Sequence, residues 1–97
     1  MQFLTISRRR IDIFSMEAFT PELLASERAQ IRELNNAGTL RHIWIRDDLP
    51  GGVIIWEAST EDELRASIGT LPLFQAGMLE IVALIPLKGY PGLGPLK

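Results

Sequence analysis

Hydrophobic and polar positions along the chain follow two periodicities that together predict six elements. Residues 2–7 mix β-branched and aromatic side chains and predict a first strand. Thr20 can cap a helix that begins at Pro21, and Gly38 is suited to end it, so a helix is predicted over residues 21–37. The remaining pattern predicts strands over 40–46 and 53–58, a helix over 61–69, a connector over 71–74 and a last strand over 78–87.

This βαββαβ order favours a ferredoxin-like α+β sandwich, in which two helices cover one face of a four-stranded antiparallel sheet. The turn sequence LPGG at residues 49–52 indicates that the second and third strands form a hairpin. We expect a single domain over residues 1–88. The segment 89–97 is rich in Gly and Pro and is expected to be an irregular tail.

The second face of such a sheet would be left without helices. The expected alternation places there Phe3, Thr5, His42, Trp44, Ile54 or its neighbours, and alternate residues of the last strand. This set is too apolar to be left in water. Packing two such sheets together would cover it, so we expect a dimeric α+β barrel, as a homodimer or a larger homo-oligomer.

The predicted strand LRHIWIR at residues 40–46 contains the only histidine of the chain. Strict alternation separates two faces, one with Leu40, His42, Trp44 and Arg46 and the other with Arg41, Ile43 and Ile45. His42 is equally consistent with a hydrogen-bonded histidine inside a barrel and with a ligand contact, whereas Trp44 is more typical of a core or an interface. Arg41 and Arg46 have apolar neighbours and could each hold a carboxylate, either that of a ligand or that of Glu27.

One charged residue interrupts the apolar stripe of the first predicted helix. At about 100° per residue, Glu27 falls near the middle of the stripe made by Leu23, Leu24, Ile31 and Leu34. Burial there would raise its pKa toward the range in which a carboxylate can both take and return a proton. Two structural alternatives are a side chain that bends to the rim of the helix and an ion pair with an arginine.

Composition narrows the classes of function. A chain of 97 residues with a net charge of −2 gives no general reason to expect binding to nucleic acid or to an anionic membrane. No apolar segment is long enough to span a bilayer, so we expect a cytoplasmic protein. The lack of cysteine and the single histidine argue against a metal site. The basic run Arg8-Arg9-Arg10 is either a solvated strand end or an anion contact.

Several segments together resemble the muconolactone Δ-isomerase family, over about residues 22–87. They are ERAQIRELNNAGTLRHIWIR, VIIWEA, STEDEL, and LPLF followed by MLEIVAL. The most specific parts are Gly38 followed by Arg41-His42-x-Trp44, and the LPLF segment. The resemblance implies a dimeric α+β barrel and a cofactor-free proton shift in a small unsaturated lactone that carries a carboxylate, within aromatic catabolism.

The resemblance also implies site residues. A Glu-Lys/Arg pair in the family's first helix matches Glu27-Arg28, and an Arg-His pair matches Arg41-His42. In the resulting hypothesis Glu27 and His42 are catalytic, no cofactor or metal takes part, and the substrate is bound by Arg41, Trp44 and Arg46. Two alternatives stay open: a non-catalytic barrel that binds a small apolar acid, and a cofactor-free oxygenase or cyclase acting on an aromatic polyketide.

Overall fold

The computed structural model describes residues 1–92; residues 93–97 of the expected tail lie outside the described part. The four strands are β1 (Gln2–Arg9), β2 (Leu40–Ile45), β3 (Gly52–Glu57) and β4 (Leu79–Leu87). The helices are α1 (Pro21–Asn36), α2 (Glu61–Ile68) and the short α3 (Pro72–Gln75), and a 3-10 turn at Met16–Ala18 precedes α1. The strand order is β2-β3-β1-β4 with antiparallel neighbours, which confirms the predicted ferredoxin-like α+β topology.

The helices begin where the sequence predicts them to begin, because their first N–H groups are capped. The Thr20 hydroxyl accepts a hydrogen bond of 3.1 Å from the N–H of Leu23, and Thr60 caps α2 through Glu63 in the same way. The sequence predicts a connector over residues 71–74, because Pro72 indicates a break. The structure has the short helix α3 there instead. Pro72 does end what precedes it, but it also occupies the first position of the next helix, where its missing N–H costs nothing.

The pairing register decides which side chains meet the helices. Phe3 lies opposite Trp56, and Thr5 lies opposite Ile54, and all four are buried beneath the helices. The expectation that Phe3 and Thr5 lie on the uncovered face is therefore wrong. Of Ile54 and its neighbours, it is Val53 and Ile55 that lie there. Both faces of these two strands are apolar, so alternation alone separates the faces without telling which of them the helices cover.

A β-bulge in β2 changes the grouping of its side chains. Leu40 pairs with Trp56, and the next pairing joins His42 to Ile55, so Arg41 is the extra residue. Leu40 consequently lies on the helix face with Ile43, whereas His42 lies on the opposite face. The predicted grouping of Leu40 with His42 and Trp44, and of Arg41 with Ile43, is wrong because strict alternation fails at the bulge.

The sheet surface away from the helices is called the open face here; it is formed by Leu4, Ile6, His42, Trp44, Val53, Ile55 and Ile85. Within residues 1–92 nothing covers it. The side chain of Trp44 is 51% exposed and that of Ile85 is 45% exposed. The expectation that His42 and Trp44 face away from the helices is confirmed, and the apolar surface around them is large for a protein to leave in water.

The turn between β2 and β3 is fixed against the end of β1. The N–H of Arg9 donates to the carbonyl of Pro50 at 2.9 Å, and the N–H of Gly52 donates to the Ser7 hydroxyl at 3.1 Å. A Cβ on Gly51 would collide with the Ser7 carbonyl oxygen and lie 2.9 Å from the Arg8 Cα. Glycine is therefore needed at position 51 for the turn to approach β1 this closely.

Candidate active site

A cavity of about 840 Å³ lies between α1 and the sheet and opens along the β2 edge. Its inner wall is mainly apolar, from Leu24, Ile31, Ile54 and Leu73. Its volume falls within the range of small-molecule sites, which are usually apolar with a few polar groups that orient the ligand. The polar groups described next therefore decide what the cavity can bind.

Glu27 is the buried carboxylate of this cavity. It lies in the middle of α1 with only 7% of the residue exposed, as its place in the apolar stripe predicts. Its Oε1 accepts a hydrogen bond of 2.9 Å from the backbone N–H of Leu73. Within residues 1–92, Oε2 accepts no hydrogen bond, so this oxygen is left for a ligand.

The electrostatics of Glu27 favour the protonated form more than for an ordinary glutamate. Burial raises the pKa of its carboxyl above the usual value, and this is the largest effect. The hydrogen bond from Leu73 and the positive charge of Arg9 both lower the pKa, but they offset the desolvation only in part. A carboxyl with a raised pKa is a better proton acceptor once ionised, and a carboxyl that has taken up a proton can return it to the ligand.

Arg9 brings a positive charge to the same cavity. It lies opposite Leu79 in the register of β1 with β4, and Leu79 packs on the core under the helices. Its guanidinium carbon lies 5.6 Å from the centroid of the Phe19 ring, within the range of a cation–π contact. Arg9 is thus placed on the helix face, within electrostatic reach of Glu27.

The three consecutive arginines of β1 separate into different environments. Arg8 lies opposite Glu80 on the other face and contacts both Glu80, at 2.6 Å, and Asp12, at 3.2 Å. Arg10 lies beyond the strand, with its Nε 3.9 Å from Asp12. The three arginines therefore do not act as one group, because Arg8 sits at the surface among carboxylates and Arg9 lines the cavity.

His42, Trp44 and Arg41 meet the cavity where it opens at the edge of β2. The rings of His42 and Trp44 contact each other, with centroids 4.2 Å apart and planes tilted by 56°. Both side chains lie on the open face, so they form the rim of the cavity and not its inner wall. The pKa of Glu57 is lowered chiefly by its hydrogen bond from the N-terminal ammonium and only slightly by the charge of Arg41, whereas the arginine that affects Glu27 is Arg9.

Arg46 follows β2 and is engaged within the turn. Its Nη2 and Nε contact the Asp48 carboxylate at 2.7 and 3.0 Å, and its Nη1 donates to the Ser7 carbonyl at 3.2 Å. It is not among the residues that line the cavity. A role of Arg46 in binding a ligand stays a prediction. The contacts of its guanidinium stabilise the turn between β2 and β3.

The sequence profile of the family described as muconolactone delta-isomerase matches residues 1–92. The chain belongs to the muconolactone delta-isomerase family. No curated protein sequence matches the chain.

Solved structures agree with the family's fold. The crystal structure of muconolactone isomerase superposes with a TM-score of 0.79 at 22% identity, covering 95% of this chain and 93% of the other. The 5-chloro-2-hydroxyhydroquinone dehydrochlorinase of Burkholderia phenoliruptrix AC1100, in complex with 2,5-dihydroxybenzoquinone, gives a TM-score of 0.68 at 20% identity and covers 91% of this chain and 94% of the other. These likenesses show that the chain has the fold of the muconolactone isomerase family.

Two groups at the site were not found by sequence reasoning. The N–H of Leu73 was missed because a backbone donor has no residue type to recognise, although Pro72 marks Leu73 as the first N–H of α3. For the basic run Arg8-Arg9-Arg10, the pattern allows a solvated strand end or an anion contact but does not single out Arg9. The alternation of β1 could have separated Arg9 from Arg8, but only after the helix face was known.

Proposed function

We propose that this protein is an isomerase that shifts one proton within a small unsaturated lactone carrying a carboxylate, with Glu27 as the base. The observation that supports this most strongly is the state of Glu27. It is buried in a cavity of ligand size, its pKa is raised by desolvation, and one of its oxygens is held by Leu73 while the other is unbonded within the described residues. Family membership supports the same chemistry.

The proposed step moves a proton and leaves the atoms of the substrate otherwise unchanged. The Glu27 carboxylate removes a proton from a saturated carbon next to the conjugated C=C–C=O system of the lactone, and the electron pair of the broken C–H bond enters that system as a dienolate. The protonated Glu27 then returns the proton to another carbon of the same conjugated system. The hydrogen bond from Leu73 to Oε1 fixes the carboxylate during both transfers, so that Oε2 takes up the proton and also returns it.

The rim residues orient the ligand in this proposal. His42 and Trp44 present a joined pair of rings at the entrance, where they can position the lactone ring and its carbonyl. Arg41 adds a positive charge at the same edge. Arg46 contributes indirectly, because it holds the turn that closes one end of the cavity through Gly51 and Gly52. On the family resemblance we place this activity in the cytoplasm, within aromatic catabolism.

We also propose that a second copy of the chain covers the open face. The face is apolar, includes the half-exposed Trp44 and Ile85, and belongs to a fold of the dimeric α+β barrel type. Sedimentation of the parent protein should then give at least a dimer, and Ile85→Lys should shift it toward the monomer. A parent protein that sediments as a monomer at micromolar concentration would contradict this assembly.

The proposed activity is tested with muconolactone as substrate. Turnover and exchange of its protons with deuterated solvent are followed by NMR for the parent, Glu27→Gln and the control Glu33→Gln, an exposed carboxylate on the same helix. Gln keeps an oxygen that can accept from Leu73 but cannot act as a base, so Glu27→Gln should be about 10²- to 10⁴-fold slower, with Glu33→Gln unchanged. A Glu27→Gln variant as fast as the parent would show that Glu27 is not the base, and a parent inert in both readouts would favour a binding protein.

A further inference from the structure

Arg9 is a cation at the cavity with no close counter-ion. Arg8, Arg10 and Arg46 each have an Asp or Glu oxygen within 4.0 Å. In the part of the chain that the structure describes, residues 1–92, Arg9 has none, although its charge reaches Glu27. A partly buried guanidinium that lacks a carboxylate in direct contact is well suited to bind an anionic ligand, because the ligand then supplies the close partner.

The orientation of Arg9 is set by its surroundings. Phe19 is buried, and the guanidinium carbon of Arg9 lies over the face of its ring. The backbone N–H of Arg9 is bonded to Pro50, so the strand cannot shift easily at this point. A guanidinium that stacks on an aromatic face keeps its N–H groups available for a bidentate contact with a carboxylate.

Arg9 lies at the same end of the cavity as Glu27. Because α1 runs antiparallel to β1, the N-terminal half of α1, with Leu24 and Glu27, lies at the β1 end that carries Arg9. Asn35 and Leu40 lie toward the opposite end, where the Asn35 side chain donates to the Leu40 carbonyl at 2.9 Å. From residue 24 to residue 35 the helix rises by about 16 Å. A small ligand held by Arg9 therefore has its anionic group at the same end of the cavity as the base.

We propose that Arg9 is the residue that anchors the carboxylate of the ligand, at the end of the cavity that also carries Glu27. This inference rests on the proposed function and sharpens its substrate class. The substrate is then an acid whose carboxylate lies close enough to the exchanging carbon for Arg9 and Glu27, at the same end of the cavity, to contact both. Acids with the carboxylate far from that carbon would be poor substrates, because one of the two contacts would be lost.

The test measures binding, so that its outcome is separate from that of the catalytic proposal. Muconolactone and its methyl ester are titrated calorimetrically into Glu27→Gln, which does not consume the probe, and into the same variant carrying Arg9→Met, Arg9→Lys or the control Arg8→Met. Arg8→Met removes the same charge from the neighbouring position, but on the other face of the sheet. Circular dichroism verifies that each variant is folded.

We expect Arg9→Met to weaken binding of the acid by about 10- to 100-fold and to leave binding of the ester unchanged, because only the acid has a charged hydrogen-bonding partner for Arg9. Arg9→Lys should give an intermediate loss, and it serves the same comparison if Arg9→Met fails to fold. Arg8→Met should change neither titration. The assignment would be overturned if Arg9→Met weakened binding of acid and ester equally or weakened neither. It would also be overturned if Glu27→Gln alone did not bind the acid more tightly than the ester. These outcomes do not depend on the turnover of Glu27→Gln.

Discussion

The backbone N–H of Leu73 donates a 2.9 Å hydrogen bond to Oε1 of Glu27, a residue 46 positions earlier in the chain. Pro72 has no N–H, so Leu73 carries the first free donor of α3, and Glu27 satisfies it as a capping side chain would. The LPLF segment and the buried glutamate of α1 are therefore parts of one arrangement. The carboxylate that we propose as the base is also the group that starts α3.

The first prediction concerns the pH dependence of the reaction. The base must be ionised, and burial raises the pKa of Glu27, so kcat/KM should increase with pH and level off above a pKa higher than the ordinary value of 4.5. In Arg9→Met this limb should move to still higher pH, because the positive charge of Arg9 lowers the pKa of Glu27. Initial rates between pH 4 and 9 measure the acid limb of the parent and that of Arg9→Met. An acid limb at or below the ordinary glutamate pKa would contradict the role of Glu27.

The second prediction concerns stability. A carboxyl whose pKa is raised in the folded state binds a proton more tightly there than in the unfolded chain, so its ionisation destabilises the fold as pH rises through the folded pKa. Glu27→Gln should therefore have a higher Tm than the parent at pH 7.5, and the difference should shrink toward the acidic side. The Tm of Glu33→Gln, measured at the same pH values, supplies the reference. A lower Tm for Glu27→Gln at pH 7.5 would show that the charge itself stabilises the fold.

Gly51 should be intolerant of a side chain. A Cβ at this position would collide with the Ser7 carbonyl oxygen, which belongs to the backbone and cannot move aside. Gly51→Ala should lower the free energy of unfolding by about 3 kcal/mol, as overpacking does in a rigid site. Gly69→Ala is the matched control, because its new Cβ would lie 3.4 Å from its nearest neighbours. Urea unfolding at one fixed protein concentration compares them, and equal losses in the two variants would contradict the close approach at Gly51.

The buried hydrogen bond between Trp56 and Thr5 gives a fourth prediction. The indole Nε1–H of Trp56 donates to the Thr5 hydroxyl at 2.8 Å, and both side chains are almost completely buried. Thr5→Val keeps the shape but leaves this donor unpaired, at a cost of about 1 to 3 kcal/mol in the free energy of unfolding. Thr5→Ser keeps the hydroxyl and should lose less. If urea unfolding shows Thr5→Val to be the more stable of the two, the bond contributes little.

Local signals in the sequence were sufficient for the elements. Thr20, Pro21 and Thr60 act through neighbours three or four residues away, so the starts of α1 and α2 could be predicted from the sequence directly. The burial of Glu27 could be predicted for the same reason, since the apolar stripe around it lies within one helix.

Relations between distant segments could not be predicted in this way. Whether Phe3 or Leu4 meets the helices depends on the pairing of β1 with β3 and on the position of the helices, which no single strand specifies. The same holds for Arg9, whose place in the cavity follows from the register with β4. The engagement of Arg46 with Ser7 spans 39 positions and leaves no local pattern.

The bulge at Arg41 makes the length of β2 adjustable at one position. Because Leu40 and His42 occupy consecutive pairing positions, a chain lacking residue 41 would keep Leu40 beneath the helices and His42 and Trp44 on the open face. Deleting Ile43 instead would turn every later side chain of the strand over. Position 41 is thus a point in β2 at which this chain can lose a residue without exchanging the side chains beneath the helices for those of the open face.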